Sequence, residues 1–202
     1  MVEVGLTSSS LVAVVLLLVI PLAAYLRKRR QRPVYLVLSC LAITALWYVS
    51  QSTIHEASHV LGNIVSGAPA TSLTVIPYSW EGFFARSFTV PGVTGTHWQR
   101  LIQLAAPYLV DGLFMLLGSW LFHWRHKFPP LVGGLVLMLT YLRALCDLVI
   151  NYLGGVLSNS GDFQQLLSGY PPVAIHVCTW VLILLGLLGT WSEIGLARPI
   201  DE

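Results

Sequence analysis

Charged residues are scarce in this chain. They make up 10% of its 202 residues, whereas roughly one quarter of the residues in a soluble domain are charged. Hydrophobic residues reach 55%, so the composition excludes an ordinary soluble domain and indicates a protein that lies in the lipid bilayer. The net charge of +2 is too small to indicate a polyanionic partner, and we expect no nucleic-acid partner.

Cysteine is also rare. Cys40, Cys146 and Cys178 are odd in number, lie in apolar stretches and form no CxxC pair. This pattern supports neither a disulfide framework nor a cysteine zinc site. We interpret the three cysteines as packing residues.

The first apolar stretch lacks the charge order of a cleavable signal peptide. Glu3 precedes it, and a basic cluster follows it, formed by Arg27, Lys28, Arg29, Arg30 and Arg32. A signal peptide has the reverse order, with its positive charge in front. The sequence therefore predicts a retained first span whose C-terminal end is cytoplasmic.

Five apolar runs are long enough to cross roughly 30 Å of hydrocarbon. They lie at about 10–26, 34–53, 101–123, 131–152 and 171–190. The predicted fold is an all-α polytopic membrane protein with about five transmembrane helices. Arg125 and Lys127 in the third connection agree with the first basic cluster, so the N-terminus is expected to be extracytoplasmic or lumenal and the C-terminus cytoplasmic.

At this length we expect a single membrane-embedded domain spanning 1–202. The N-terminal span and basic cytoplasmic loop occupy 1–33, the catalytic core 34–170, and the last span and tail 171–202. The sequence indicates no oligomeric state.

The connection at 67–100 predicts a small β-hairpin. Two β-prone runs, Thr71–Tyr78 and Phe83–Val90, flank Ser79-Trp80-Glu81-Gly82, which is typical of two strands joined by a turn. Aromatic residues crowd the segment and favour a position at the membrane interface. The alternative is an irregular loop with a few anchoring aromatic side chains.

The second span continues into an HExxH motif. His55 and His59 are four residues apart and therefore share one helix face. Neutral imidazoles in this arrangement can bind one Zn²⁺ ion, while Glu56 between them takes a proton from the activated water as the general base. Ionisable residues in or beside hydrocarbon are costly and tend to mark function. We interpret the motif as a zinc-hydrolase site.

The segment HEASHVLGNIVSGAPATSLTVIP resembles the opening of the site-2-protease-like intramembrane metalloproteases. Leu101–Leu117, with Ala105-Ala106-Pro107 and Gly112, is similar to the small-residue helix that follows the strands in that family. Asn159-Ser160-Gly161-Asp162-Phe163 resembles the later segment in which an aspartate is the third zinc ligand. The resemblance covers about 55–170, and it implies that His55, His59 and Asp162 bind zinc.

Sidedness also favours Asp162 as the third protein ligand. The predicted topology brings its loop and the end of the second span to the same face of the membrane. Three protein ligands leave one position for water, and a carboxylate offsets the charge of the ion. The alternative is a helix N-cap, because Gln165 follows Asp162 at the spacing of a capping box. His176 and Asp147 are reserve ligands.

Other ionisable residues lie at similar depths in the third and fourth spans. Counting residues from the helix ends predicts an ion pair between Asp111 and Arg143, with Asp147 sharing Arg143 one turn away. We interpret this network as structural, the alternative being that Arg143 polarises the scissile carbonyl. Gly154 and Gly155 predict a helix stop and a close approach to the site.

The resemblance implies that the protein hydrolyses peptide bonds within or beside the bilayer, with a membrane protein or peptide as substrate. Two alternatives stay open. One is a membrane zinc hydrolase of a lipid amide or ester, because HExxH does not specify the acyl group. The other is a non-catalytic scaffold or chaperone that retains the motif. A strand edge beside the metal favours a peptide, whereas an apolar tunnel favours a lipid.

Overall fold

Long apolar helices make up most of the molecule. The computed structural model describes residues 8–29, 32–67, 71–78, 82–89, 95–159 and 161–196. Within these ranges, five helices are long and apolar enough to cross a membrane, namely Leu11–Lys28, Pro33–Ser66, His97–Trp124, Pro130–Leu157 and Pro172–Leu196. The predicted all-α fold of five spans is confirmed, and the chain is consistent with a multi-pass membrane protein.

The first span is built from three consecutive helical segments. They are α1 (Ser8–Val14), a π-helical turn (Val15–Val19) and α2 (Ile20–Lys28). The second span is the single helix α3 (Pro33–Ser66). Its 34 residues measure about 51 Å at 1.5 Å per residue, well beyond the roughly 30 Å of a hydrocarbon core. The HExxH motif therefore lies on a continuous helix that is much longer than the span predicted at 34–53.

Gly67 ends α3 in the left-handed conformation, with φ of 64°. A residue with a Cβ atom is strained there, so glycine is the suitable C-cap. The chain then forms an antiparallel hairpin of β1 (Thr71–Tyr78) and β2 (Gly82–Thr89), and both strands lie against α3. The predicted hairpin is confirmed in its backbone, with the second strand starting one residue earlier than expected. Its turn at 79–81 lies outside the described residues.

The third span starts at a capping box. It consists of α4 (His97–Leu121) and a 3-10 segment (Phe122–Lys127). The hydroxyl of Thr96 accepts from the Gln99 backbone, and the Gln99 side chain accepts from the Thr96 backbone. The same Gln99 amide donates to the carbonyls of Ser66 and Gly67, at 3.2 and 3.0 Å. The cap therefore joins the start of α4 to the end of α3, beside the motif.

The fourth span is the most buried of the five. It comprises α5 (Pro130–Leu137), a π-helical turn (Met138–Leu142) and α6 (Arg143–Leu157). A short helix α7 (Gly161–Gly169) and the last span α8 (Pro172–Leu196) follow. Because the other spans surround α6, its polar side chains are shielded from lipid and need partners inside the protein.

The predicted helix stop at Gly154 and Gly155 is wrong, because α6 continues through both residues to Leu157. The predicted close approach is observed. A Cβ atom at Gly155 would overlap Phe163 Cβ and lie 2.9 Å from the Gln164 backbone nitrogen. The absence of a side chain at Gly155 therefore lets α7 pack directly on α6.

Gly155→Ala is expected to displace α7 and to destabilise the protein by about 1–3 kcal/mol, the usual cost of an overpacked contact. Gly154→Ala is the matched control, because a Cβ atom there meets nothing within 4 Å. Thermal unfolding in detergent measures both effects. Equal unfolding temperatures for the two variants would contradict the packing described for α7.

Candidate metal centre

The side chains of His55, His59 and Asp162 meet at one point. The two histidines lie on the same face of α3, and Asp162 lies in the first turn of α7. Asp162 Oδ2 is 3.1 Å from His55 Nε2 and 2.9 Å from His59 Nε2. One ligand atom from each residue lies within 4.8 Å of the others. Of the described residues, these three form a group that could hold a metal ion.

The two separations between Asp162 and the histidine rings are compatible with a tetrahedral ion. Two ligands about 2.1 Å from a tetrahedral zinc ion are roughly 3.4 Å apart, close to the observed separations between Asp162 and the two rings. Three protein ligands also leave a fourth position for water or substrate. Side-chain exposure is 11% for His55, 7% for His59 and 18% for Asp162, so the group is shielded but not sealed.

The Asp162 carboxylate carries its charge in this position. Burial alone would raise its pKa, but the close contacts with the His55 and His59 rings hold that pKa below its ordinary value. An ionised carboxylate is the form that binds a metal and offsets its charge.

The capping alternative for Asp162 does not match the local structure. Asp162 is the second residue of α7 and not the residue before the helix. Gln165, its expected partner in a capping box, instead accepts a hydrogen bond from Arg100 at 3.2 Å. The carboxylate oxygen of Asp162 points to the two histidines. The contacts of Asp162 therefore favour the ligand interpretation over the cap.

The other ring nitrogen of each histidine has a hydrogen-bond acceptor as its partner. His55 Nδ1 lies 2.8 Å from Asp147 Oδ2, and His59 Nδ1 lies 2.8 Å from the Gln103 carbonyl oxygen. A backbone carbonyl and a carboxylate both accept, so each Nδ1 atom donates its proton. This arrangement leaves both Nε2 atoms facing Asp162 at the candidate metal position.

The buried charges beside the centre differ in part from the prediction. Arg143 Nη2 lies 2.5 Å from Asp111 Oδ1, so the predicted ion pair is present. Asp147 adjoins Asp111, and its carboxylate also accepts hydrogen bonds from His55, Gln51 and Asn151. Asp147 therefore joins the expected network through Asp111, and it also connects that network with His55, a contact that was not predicted.

Glu56 lies on α3 between the two histidines and is partly buried. The Tyr108 ring packs edge-on against His55, with centroids 6.0 Å apart. Glu56 therefore lies next to the triad, on the helix that carries both histidines.

The reserve ligand His176 has another partner. Its Nδ1 atom lies 2.8 Å from the Tyr152 hydroxyl, and the Tyr152 ring packs against Phe163, next to Asp162 in the chain. His176 therefore supports the wall around α7 rather than the metal position itself. Cys40, Cys146 and Cys178 are free thiols. Cys146 is buried and Cys178 is exposed, so packing inside the protein is observed for Cys146 but not for Cys178.

Sequence reasoning missed several residues around the centre. Gln51 lies one helical turn before His55 on α3, a spacing that could have marked it as part of the polar face. Tyr108 and the Gln103 carbonyl belong to α4, and no motif connects them with α3. Only the packing of α4 on α3 brings them to the histidines.

Comparison with known proteins adds no relative. No protein-family model, no curated protein and no solved structure matches the chain. The resemblance to the site-2-protease-like family therefore stays a prediction. What the site does is inferred from its own residues.

His55→Ala, His59→Ala and Asp162→Asn are each expected to lower zinc affinity by orders of magnitude, because two remaining protein ligands rarely hold zinc tightly. His176→Ala is the control and should retain about one equivalent. Metal content of the purified variants measures the effect. Asp162→Asn is the sharpest of the three, since asparagine caps helices as well as aspartate does. Normal metal content in that variant would refute the ligand assignment.

Proposed function

We propose that this chain is a membrane-embedded zinc metalloprotease that hydrolyses peptide bonds within or beside the bilayer. The observation that carries the proposal is the convergence of His55, His59 and Asp162, with Glu56 adjacent on α3. Two imidazoles and a carboxylate form a common ligand set of catalytic zinc sites. The resemblance of residues 55–170 to site-2-protease-like enzymes supports the same activity.

The proposed chemistry assigns one role to each residue. His55, His59 and Asp162 would hold the ion, which when bound would lower the pKa of water towards 7 and stabilise negative charge on the reacting carbonyl oxygen. Glu56 accepts a proton from the attacking water as the new C–O bond forms. It then donates that proton to the leaving amine nitrogen as the C–N bond breaks.

The hairpin supports a peptide substrate over a lipid. β1 and β2 lie against α3, the helix that carries the motif. In the part of the chain that the structure describes, β1 and β2 pair only with each other, so each strand has one edge with unpaired backbone groups. An extended peptide can add to such an edge by main-chain hydrogen bonds, whereas an acyl chain cannot.

Glu56→Gln is expected to retain zinc and to lose hydrolysis by several orders of magnitude, because the amide keeps the side-chain volume but cannot accept the proton. Zinc content and cleavage of a panel of membrane peptides should be measured together. Glu193→Gln, near the C-terminal end of α8, is a matched control with unchanged cleavage.

Three results would contradict the proposal in different ways. Full activity of Glu56→Gln would refute the proposed role of Glu56 as the general base. Cleavage of lipid amides or esters, but of no peptide, would indicate the lipid hydrolase. A wild-type protein that is folded and contains no metal would indicate a scaffold or chaperone.

We also propose an orientation, with the N-terminus extracytoplasmic or lumenal and the C-terminus cytoplasmic. Lys28 Nζ donates to the Gly195 carbonyl at 3.5 Å, and Arg29 Nη2 donates to the Phe128 carbonyl at 2.5 Å. The end of α2, the connection before α5 and the end of α8 therefore share one face. That face carries the basic residues, which the positive-inside rule assigns to the cytoplasm.

The orientation can be tested with single cysteines in a variant that lacks the three native ones. Lys127→Cys and Ser168→Cys are both exposed positions. In sealed vesicles with the cytoplasmic face outward, an impermeant thiol reagent should label Lys127→Cys at once. Ser168→Cys should react only after detergent is added, and the reverse pattern would overturn the orientation.

A further inference from the structure

We propose that Asp147 and Pro107 are positioning residues that hold the two histidine rings in the orientation that binds the metal. The inference rests on the ligand set proposed above. Asp147 acts on His55 from α6, and Pro107 acts on His59 from α4. Neither residue is in the group that could hold the ion.

Asp147 is itself held by several contacts. Its side chain is 4% exposed, and Oδ2 accepts from His55 Nδ1 at 2.8 Å. Its other oxygen, Oδ1, accepts from the amides of Gln51 at 2.7 Å and Asn151 at 2.9 Å. Both carboxylate oxygens are therefore engaged, and the carboxylate cannot rotate without losing these bonds.

The surroundings of Asp147 explain why a negative charge is tolerated there. Asp111 adjoins it, and Arg143 acts on it electrostatically while bonding to Asp111. The guanidinium offsets negative charge in a part of the bundle that excludes water. A carboxylate that accepts from Nδ1 fixes the imidazole ring and makes its Nε2 atom a stronger ligand. This polar chain connects Arg143 with the proposed metal ligand.

Pro107 acts on the second histidine by a different route. It lies inside α4, and proline has no backbone N–H, so the carbonyl four residues earlier receives no helical hydrogen bond from position 107. That carbonyl belongs to Gln103, and it accepts from His59 Nδ1 at 2.8 Å. A proline that is costly in a helix therefore makes an acceptor available to the ligand.

Asp147→Asn tests the proposed role of Asp147 in positioning His55. Asparagine retains the size of the side chain but removes the charge, so zinc affinity is expected to fall about 10- to 100-fold, as for other residues that hold a metal ligand. Affinity should be measured by competition with a chromogenic chelator on protein whose folding is checked by circular dichroism. Tyr152→Phe, which deletes one partly buried hydrogen bond on the same helix, is the matched control with unchanged affinity.

A second variant applies if Asp147→Asn does not fold. Gln51→Met has nearly the same shape as the native residue but removes the donor to Asp147 Oδ1, and it should weaken zinc binding severalfold. Affinity within twofold of wild type in either folded variant would overturn the role of Asp147. If the wild type hydrolyses peptides in that case, only this inference fails. If zinc binding depends on Asp147 but the wild type hydrolyses no peptide, the proposed protease activity is refuted and the positioning role of Asp147 is retained.

Pro107→Ala tests the proposed role of Pro107 in positioning His59. It also distinguishes an effect on zinc affinity from an effect on protein stability. Alanine restores an N–H that competes with His59 for the Gln103 carbonyl, so zinc affinity should fall severalfold. The same change favours the helix, because alanine is a far better helix former than proline, and the metal-free protein should unfold at the same or a higher temperature. Pro130→Ala, at the start of α5, is the control. Unchanged zinc affinity in folded Pro107→Ala would overturn the role of Pro107.

Discussion

The structure depends on the rule that a charged group inside an apolar bundle needs a partner. Arg143 is almost fully buried and bonds to Asp111. Asp111 adjoins Asp147, and Asp147 bonds to His55. The chain of contacts therefore connects α4, α6 and α3 through polar groups that would otherwise destabilise the fold. The candidate metal centre lies at one end of this chain of contacts. The most buried span supplies Arg143 and Asp147, whereas the candidate ligands lie on α3 and α7.

Close helix packing is the second requirement of the site. A Cβ atom at Gly62 would lie 2.6 Å from Ala106 Cβ, so α3 and α4 approach each other beside the motif. Gly155 allows the same approach between α6 and α7. Apolar packing offers little driving force between helices in lipid, and small residues let backbones come close enough for specific contacts. These two glycines therefore help to place the Gln103 carbonyl and Asp162 beside the histidines.

Much of this arrangement could be predicted from the sequence. Apolar runs predicted five spans because hydrocarbon thickness sets their length, and HExxH predicted that His55 and His59 share a helix face. The topology brought the loop of Asp162 to the motif, and the observed contacts agree. The role of Asp147 could not be predicted, because its distance from Arg143 along α6 indicates a pair, whereas its actual partner lies on α3, 92 residues away.

The sequence by itself determined the class of the protein, the number of its spans, the spacing of the motif and the basic residues at one face. These properties follow from local periodicity and composition, which act within one helix or one loop. Only the tertiary structure decided which oxygen meets which ring nitrogen. Those contacts depend on the packing of α4, α6 and α7 around α3. A short helix such as α7 has too few apolar residues for its position in the fold to be predicted from the sequence. The donors and acceptors of His55 and His59 therefore come from distant segments that no local pattern connects.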